Sequence, residues 1–170
     1  MTGNSEGNQE LENKVSAVKG NFQQFLTFTV GDEEYGVDIM TVLEIKGWTP
    51  TTRLPNSQDY MRGVMNLRGA IIPIFDLRTR FHQGETEVTP KHVVIVLAIE
   101  SRNIGILVDT VSDILDVDTQ QIKPAPSGDS HMDSDYINGL ISLDNRMVVL
   151  LDVEHLFDGE QIEHILEKVA

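Results

Sequence analysis

From residue 22 onward the chain alternates short β-branched segments with turn residues, a pattern that predicts an all-β protein. Phe25–Val30 predicts a strand, turned back at Gly31-Asp32 into Glu34–Asp38, and Val42–Gly47 predicts a third. Leu54-Pro55-Asn56-Ser57 ends that run, and Asn56 or Ser57 is expected to cap a short helix ending at Gly63. Val64–Leu67 and Ala70–Phe75 predict two strands around Arg68-Gly69, a tight turn that glycine permits through positive φ. Asp76 stands where a carboxylate caps the short helix expected over Leu77–Phe81. After a polar linker, His82–Lys91, the run Val93–Ile99 is apolar on consecutive positions. Alternation would leave one wet face, so this run predicts a strand covered on both sides. Residues 158–170 place Ile162, Ile165, Leu166 and Val169 at helical spacing and predict an amphipathic C-terminal helix. Residues 1–21, rich in Gly, Asn, Glu, Gln and Ser, read as a flexible tail.

The chain also matches itself. Tyr35–Ile45 aligns with Ile104–Ile114 at an offset of 69 (104 − 35). Tyr60–Leu77 aligns with Tyr136–Val153, and Phe81 with Phe157, at an offset of 76 (136 − 60). The order of the blocks is kept and the offset grows by seven (76 − 69), which places an insertion within Pro124–Asp135 of the second copy. The body, residues 22–157, thus holds two repeat units of about 25–81 and 93–157, each with about five short strands. Closing five strands into a small barrel removes exposed edges, and units this small need each other for stability. The expected architecture is two interleaved barrels sharing a core through strands such as Val93–Ile99. Asp76 and Asp152 occupy matching positions and read as helix caps used twice. Arg68-Gly69 and Asp144-Asn145 match but differ, which marks either two plain turns or a function belonging to one half.

Charge and residue chemistry narrow the function. Thirteen basic against 27 acidic residues give a net charge of −14, which repels nucleic acid and anionic membrane surfaces. The seven residues of Val93–Ile99 are too few to span a bilayer, and residues 1–20 lack a signal-peptide core, so a cytoplasmic protein is expected. Without cysteine there is no disulfide, thiolate nucleophile or cysteine-based zinc site. His82, His92, His131, His155 and His164 show no metal-ligand spacing; His131-Met132-Asp133 reads as a solvated loop. Gly31, Gly36, Gly63 and Gly69 are isolated turn glycines, and Ser112 and Ser142 lack a nucleophile-elbow context. Asp32-Glu33-Glu34 reads as a hairpin turn facing water. No catalytic, cofactor or metal set assembles, and a protein-binding module is expected rather than an enzyme.

Two stretches sharpen that class: Phe25–Gly36 (Phe-Leu-Thr-Phe-Thr-Val-Gly-Asp-Glu-Glu-Tyr-Gly) and Gly63–Leu77 (Gly-Val-Met-Asn-Leu-Arg-Gly-Ala-Ile-Ile-Pro-Ile-Phe-Asp-Leu). With Val93–Leu115 and Gln121–Pro126 they resemble the CheW family of chemotaxis coupling proteins, over about Phe22 to Phe157. The resemblance implies two five-stranded SH3-like β-barrels sharing a hydrophobic core, with short helices and the C-terminal helix. It implies a non-enzymatic adaptor, without cofactor, joining the cytoplasmic tips of methyl-accepting chemoreceptors to the regulatory domain of the histidine kinase CheA. It also implies alternation with that CheW-like regulatory domain into rings, in arrays at the inner face of the membrane without insertion. The receptor-contacting residues carried over are Val42, Glu44, Gly63, Arg68, Gly105, Val111 and Ile114; no motif singles out kinase-facing residues. Read as residues, Arg68 offers a planar cation on an apolar stem. Glu44 can hold it in place, or the two can be an ordinary exposed ion pair worth about 0–1 kcal/mol. Val42, Val111 and Ile114 suit either barrel core or a partner groove, and Gly63 and Gly105 suit backbone geometry.

Overall fold

In the computed structural model, which describes residues 21–100, 102–125 and 134–157, the run Val93–Ile99 is a strand whose two faces enter different interiors. Val94 and Val96 join a cluster with Met65, Ile72, Ile74 and Leu107. Ile95, Leu97 and Ile99, on the opposite face, join a larger cluster with Leu26, Phe28, Val37, Phe75 and Leu151. No face of this strand is left for water, which is why its sequence shows no alternation.

Ten strands make up the body: β1 Phe22–Val30, β2 Glu33–Asp38, β3 Val42–Gly47, β4 Met61–Leu67, β5 Ala70–Asp76, β6 Val93–Ile99, β7 Arg102–Val108, β8 Thr110–Asp118, β9 Ile137–Leu143 and β10 Arg146–Leu151. Two one-turn helices, α1 Leu77–Arg80 and α2 Val153–Leu156, follow β5 and β10. Hydrogen bonding sorts the strands into two sheets of five, ordered β8-β1-β2-β10-β9 and β3-β6-β7-β5-β4. Advancing each strand number by one copy (β1 to β6, β3 to β8, β4 to β9) converts one order into the other, so the sequence repeat is also a repeat of topology. Neither sheet is one copy: each takes two strands from one copy and three from the other.

Each sheet curls until its ends meet. Beyond β3, Thr52 exchanges both backbone hydrogen bonds with Val64 of β4, each at 2.9 Å. Beyond β8, Lys123 does the same with Leu140 of β9, at 2.9 and 2.8 Å. Val64 and Leu140 are repeat mates, so both barrels close by the same device. Closure spans 12 positions in the first copy (64 − 52) and 17 in the second (140 − 123), which assigns five of the seven extra residues to this connection. The barrel containing β1, hereafter the first barrel, encloses Phe25, Val117, Ile141, Val148 and Leu150. The second barrel encloses the Met65–Leu107 cluster, and the larger cluster lies between the two.

The predicted caps form. Asp76 Oδ1 accepts from the Arg78 N–H at 3.0 Å and Asp152 Oδ1 from the Glu154 N–H at 3.1 Å. The helix expected to end at Gly63 does not form. Residues 55–56 and 59–60 form turns, 57–58 have no regular structure, and β4 begins at Met61. Pairing of Met61 with Phe75, and of Val64 with Thr52, outweighs an isolated helix too short to nucleate. The flexible tail over residues 1–20, the loop His131–Asp133, His164 and the C-terminal helix lie outside the described residues.

Candidate functional site

β3 is an edge strand of the second barrel, paired only to β6 along its length. Its residues alternate: Leu43 and Ile45 face solvent at 54% and 46% exposure, while Val42 and Glu44 are half-buried. Val42 packs on the core between the barrels. Glu44 reaches the tip of the β4–β5 hairpin, where its carboxylate meets the Arg68 guanidinium at 3.1 Å. The pair spans the two ends of the curled sheet, β3 and β4, on the side away from β6.

The hairpin tip is built unusually. Arg68 and Gly69 both take positive φ, 51° and 88°, the signature of a two-residue type I′ turn, and Asn66 Oδ1 accepts from the Gly69 N–H at 2.8 Å. Gly, Asn or Asp ordinarily fills the first central position, because a Cβ there costs about 1–2 kcal/mol. Gly avoids that cost, and the short polar side chains of Asn and Asp offset it by local hydrogen bonds.

Ile114 on β8 lies opposite Leu26 of β1 and is 53% exposed, and Val111 is half-buried against the shared core. Thus Val42 and Val111, repeat mates, meet the same core from the two barrels, while Ile114 stands on the outer surface. The two glycines are interior. Gly63, at φ +136°, lies so close to the closing segment that a Cβ would come within 2.4 Å of the Thr52 carbonyl oxygen. A Cβ on Gly105 would meet Ile74 Cδ1 at 2.4 Å and Val94 Cγ1 at 2.9 Å. Both act on a surface only through the backbone they shape.

Residue-by-residue reasoning passed over Leu43, Ile45 and the 85%-exposed Met40, which extend the apolar surface next to Glu44. The repeat held a signal for one of them: Ile45 is the mate of Ile114, and both are exposed.

Among the described residues no three His, Asp or Glu side chains gather into a metal site, and no buried side-chain polar atom lacks a hydrogen-bond partner. The most buried carboxylate, Asp76, is occupied by the backbone N–H and hydroxyl of Thr86, at 2.9 and 2.6 Å, besides its cap. Its chemistry is structural. No described helix is long and apolar enough to cross a membrane.

Comparison with known proteins agrees in fold and sequence. The model of the CheW-like domain matches residues 24–161. A chemotaxis protein CheW of Klebsiella aerogenes is 46% identical over 148 residues, covering 87% of this chain and 89% of that protein. A probable chemotaxis protein CheW of Rhizobium etli is 40% identical over 149 residues, covering 88% and 96%. The crystal structure of the scaffolding protein TtCheW from Thermoanaerobacter tengcongensis superposes with a TM-score of 0.74 at 28% identity, covering 82% of this chain and 90% of that one. With the family model spanning the body of the chain and both barrels shared with a solved scaffold, the chain belongs to the CheW family.

Proposed function

We propose that the chain is a non-enzymatic chemotaxis adaptor that couples methyl-accepting chemoreceptors to the histidine kinase CheA and gives the receptors control of kinase activity. Family membership supplies the class. The observation that carries the contact surface is Arg68, held at positive φ on a hairpin tip and fixed by Glu44 beside exposed Leu43 and Ile45. A planar cation next to an apolar edge suits a helical partner that presents a carboxylate beside apolar side chains. The receptor's cytoplasmic tip is that partner in this reading, with Val42, Glu44 and Arg68 of the second barrel and Val111 and Ile114 of the first at the contact. Gly63 and Gly105 support it from within.

The adaptor makes and breaks no bond. It holds receptor and kinase in register, so that a small receptor displacement biases the kinase between two arrangements. Cytoplasmic arrays at the inner face of the membrane, in which the chain alternates with kinase regulatory domains in rings, belong to the same proposal.

The decisive assay is kinase autophosphorylation with receptor-containing membranes, with and without this protein. Activation on addition, reversed by attractant, is expected. Arg68→Ala and Glu44→Ala should weaken receptor coupling while leaving the circular dichroism spectrum unchanged, since an exposed pair contributes only about 0–1 kcal/mol. No activation, together with failure to retain either partner in a pull-down, would sink the proposal.

A further inference from the structure

The aromatic residues at the ends of α1 and α2 exchange partners between the barrels. Phe81, after α1, stacks on Tyr35 and Tyr136 of the first barrel, with ring centres 4.9 and 5.7 Å apart. Its repeat mate Phe157, after α2, packs on Phe75 and Tyr60 of the second, at 4.3 and 6.0 Å. Tyr60 and Tyr136 are themselves mates, and their carbonyls accept from the backbone N–H groups of mates Asp76 and Asp152, both at 2.7 Å. The Phe81–Tyr136 and Phe157–Tyr60 contacts are therefore two-fold mates, whereas Tyr35 and Phe75 have the aliphatic Ile104 and Leu151 as theirs.

Arg80 breaks that symmetry. Its guanidinium carbon lies 5.2 Å from the ring centre of Tyr136 and 5.7 Å from that of Tyr60, so one cation is shared by mates from the two copies. Its Nε–H donates to the Leu156 carbonyl at 2.8 Å. Leu156 is the residue matching Arg80 in the second copy (156 − 80 = 76), and it is fully buried. The second copy thus buries an apolar side chain in the core at the position where the first copy carries the cation. Burial stabilises the ring contacts around it without strong direction, whereas a planar group between two rings with a directed hydrogen bond adds an angular preference. A second polar joint, Arg78 to Asp109 at 2.7 Å, ties α1 to the link between β7 and β8, away from the paired tyrosines.

We propose that Arg80 is a pin that sets the orientation of the two barrels on each other, and so keeps Val42, Glu44 and Arg68 in register with Val111 and Ile114. The pin stands on the seam geometry alone; its effect on binding rests on the receptor surface proposed above.

Residual dipolar couplings of the full chain, labelled on backbone amides and weakly aligned, test the pin directly. In the wild type one alignment tensor should describe both barrels. Arg80→Leu, which gives the first copy the residue of the second, should leave each barrel well fitted alone while the two require different tensors. Arg80→Lys keeps the cation but loses the planar Nε–H donor; it should show a smaller separation, and it serves as the test if Arg80→Leu does not fold. Binding of a receptor cytoplasmic-tip fragment should weaken several-fold in step with the separation. A single tensor with wild-type orientation in the variants would overturn the pin whatever the melting temperature does, because an arginine that only stabilises changes melting and not orientation. Separate tensors with unchanged fragment binding would keep the pin and reject the receptor surface instead.

Discussion

At the hairpin tip of the second barrel Arg68 turns at φ 51° and pairs with Glu44; at the matching tip of the first barrel stand Asp144 and Asn145, neither with positive φ. The residue matching Glu44 is Asp113, whose Oδ1 accepts from the neighbouring Ile114 N–H. The pair that spans two sheet ends in the second barrel is thus two acids in the first. The first barrel has its own arginine pair, Arg146 with Glu34 at 3.1 Å, but it joins adjacent parallel strands β10 and β2 within the sheet. Away from the tips the barrels agree: both close through one bridged residue, both cap a one-turn helix with Asp, and both place an exposed apolar residue at Ile71 and its mate Met147. Packing constrains the interior of both copies alike, while surface charge at the tips is free to differ.

The largest expected effect tests the shared closure. Gly63→Ala puts a methyl group against the Thr52 carbonyl and forces alanine to φ +136°, a backbone region costing about 1–3 kcal/mol before any clash is counted. At the mate Gly139 the nearest atom to a new Cβ is the Ile122 Cγ2 at 2.5 Å, a side chain that can turn away, with the Lys123 carbonyl oxygen at 2.9 Å. Urea unfolding should therefore find both variants destabilised and Gly63→Ala the more so. Equal losses would mean that closure tolerates the two barrels' different backbones equally.

The caps sharpen the comparison further. Asp76 is buried and also binds Thr86; Asp152 is half-buried and also binds His155 at 2.6 Å. Asp76→Ala strands a buried N–H and hydroxyl, at a cost of about 1–3 kcal/mol in addition to the lost cap. Asp152→Ala loses a cap, about 1 kcal/mol, with water able to replace what remains. Chemical denaturation of the two variants in parallel gives the ranking, and a larger loss for Asp152→Ala would reverse this account of the caps.

Much of this was legible because it is local. The bare run Val93–Ile99 announced a strand with two buried faces, Asp76 and Asp152 announced caps, and Arg68-Gly69 announced a turn. What was not legible depends on which strands meet. The repeat makes β3 and β8 equivalent, yet nothing in either sequence says that β3 pairs with β6 while β8 pairs with β1. The same ignorance produced the false helix before Gly63, whose residues are recruited by Thr52 and β5. Arg80 opposite Leu156 looks like ordinary drift between copies until the fold sets it between Tyr60 and Tyr136. Of the site residues carried over, the close approach of Glu44 and Arg68 follows from curling the sheet, and the interior positions of Gly63 and Gly105 from what closes over them.

The smallest expected effect separates the two caps by pH. His155 is three residues after Asp152; its mate after Asp76 is Thr79, which has no such charge. The hydrogen bond to Asp152, then the charge of that carboxylate, raise the imidazole above its usual value of 6.5, with Glu154 and Asp135 adding in the same direction. A group whose folded value is raised contributes stability fully present below the unfolded value and lost as pH rises through the folded one. The stabilisation from His155 should accordingly be intact on the acid side of 6.5 and fade above it. Because the ring is open to solvent the change should be slight, best read as the difference in melting temperature between wild type and His155→Gln across that range. The wild type should hold its advantage at the acid end and lose it toward neutral and alkaline pH. A difference that is flat with pH, or that grows on the alkaline side, would refute this role for His155.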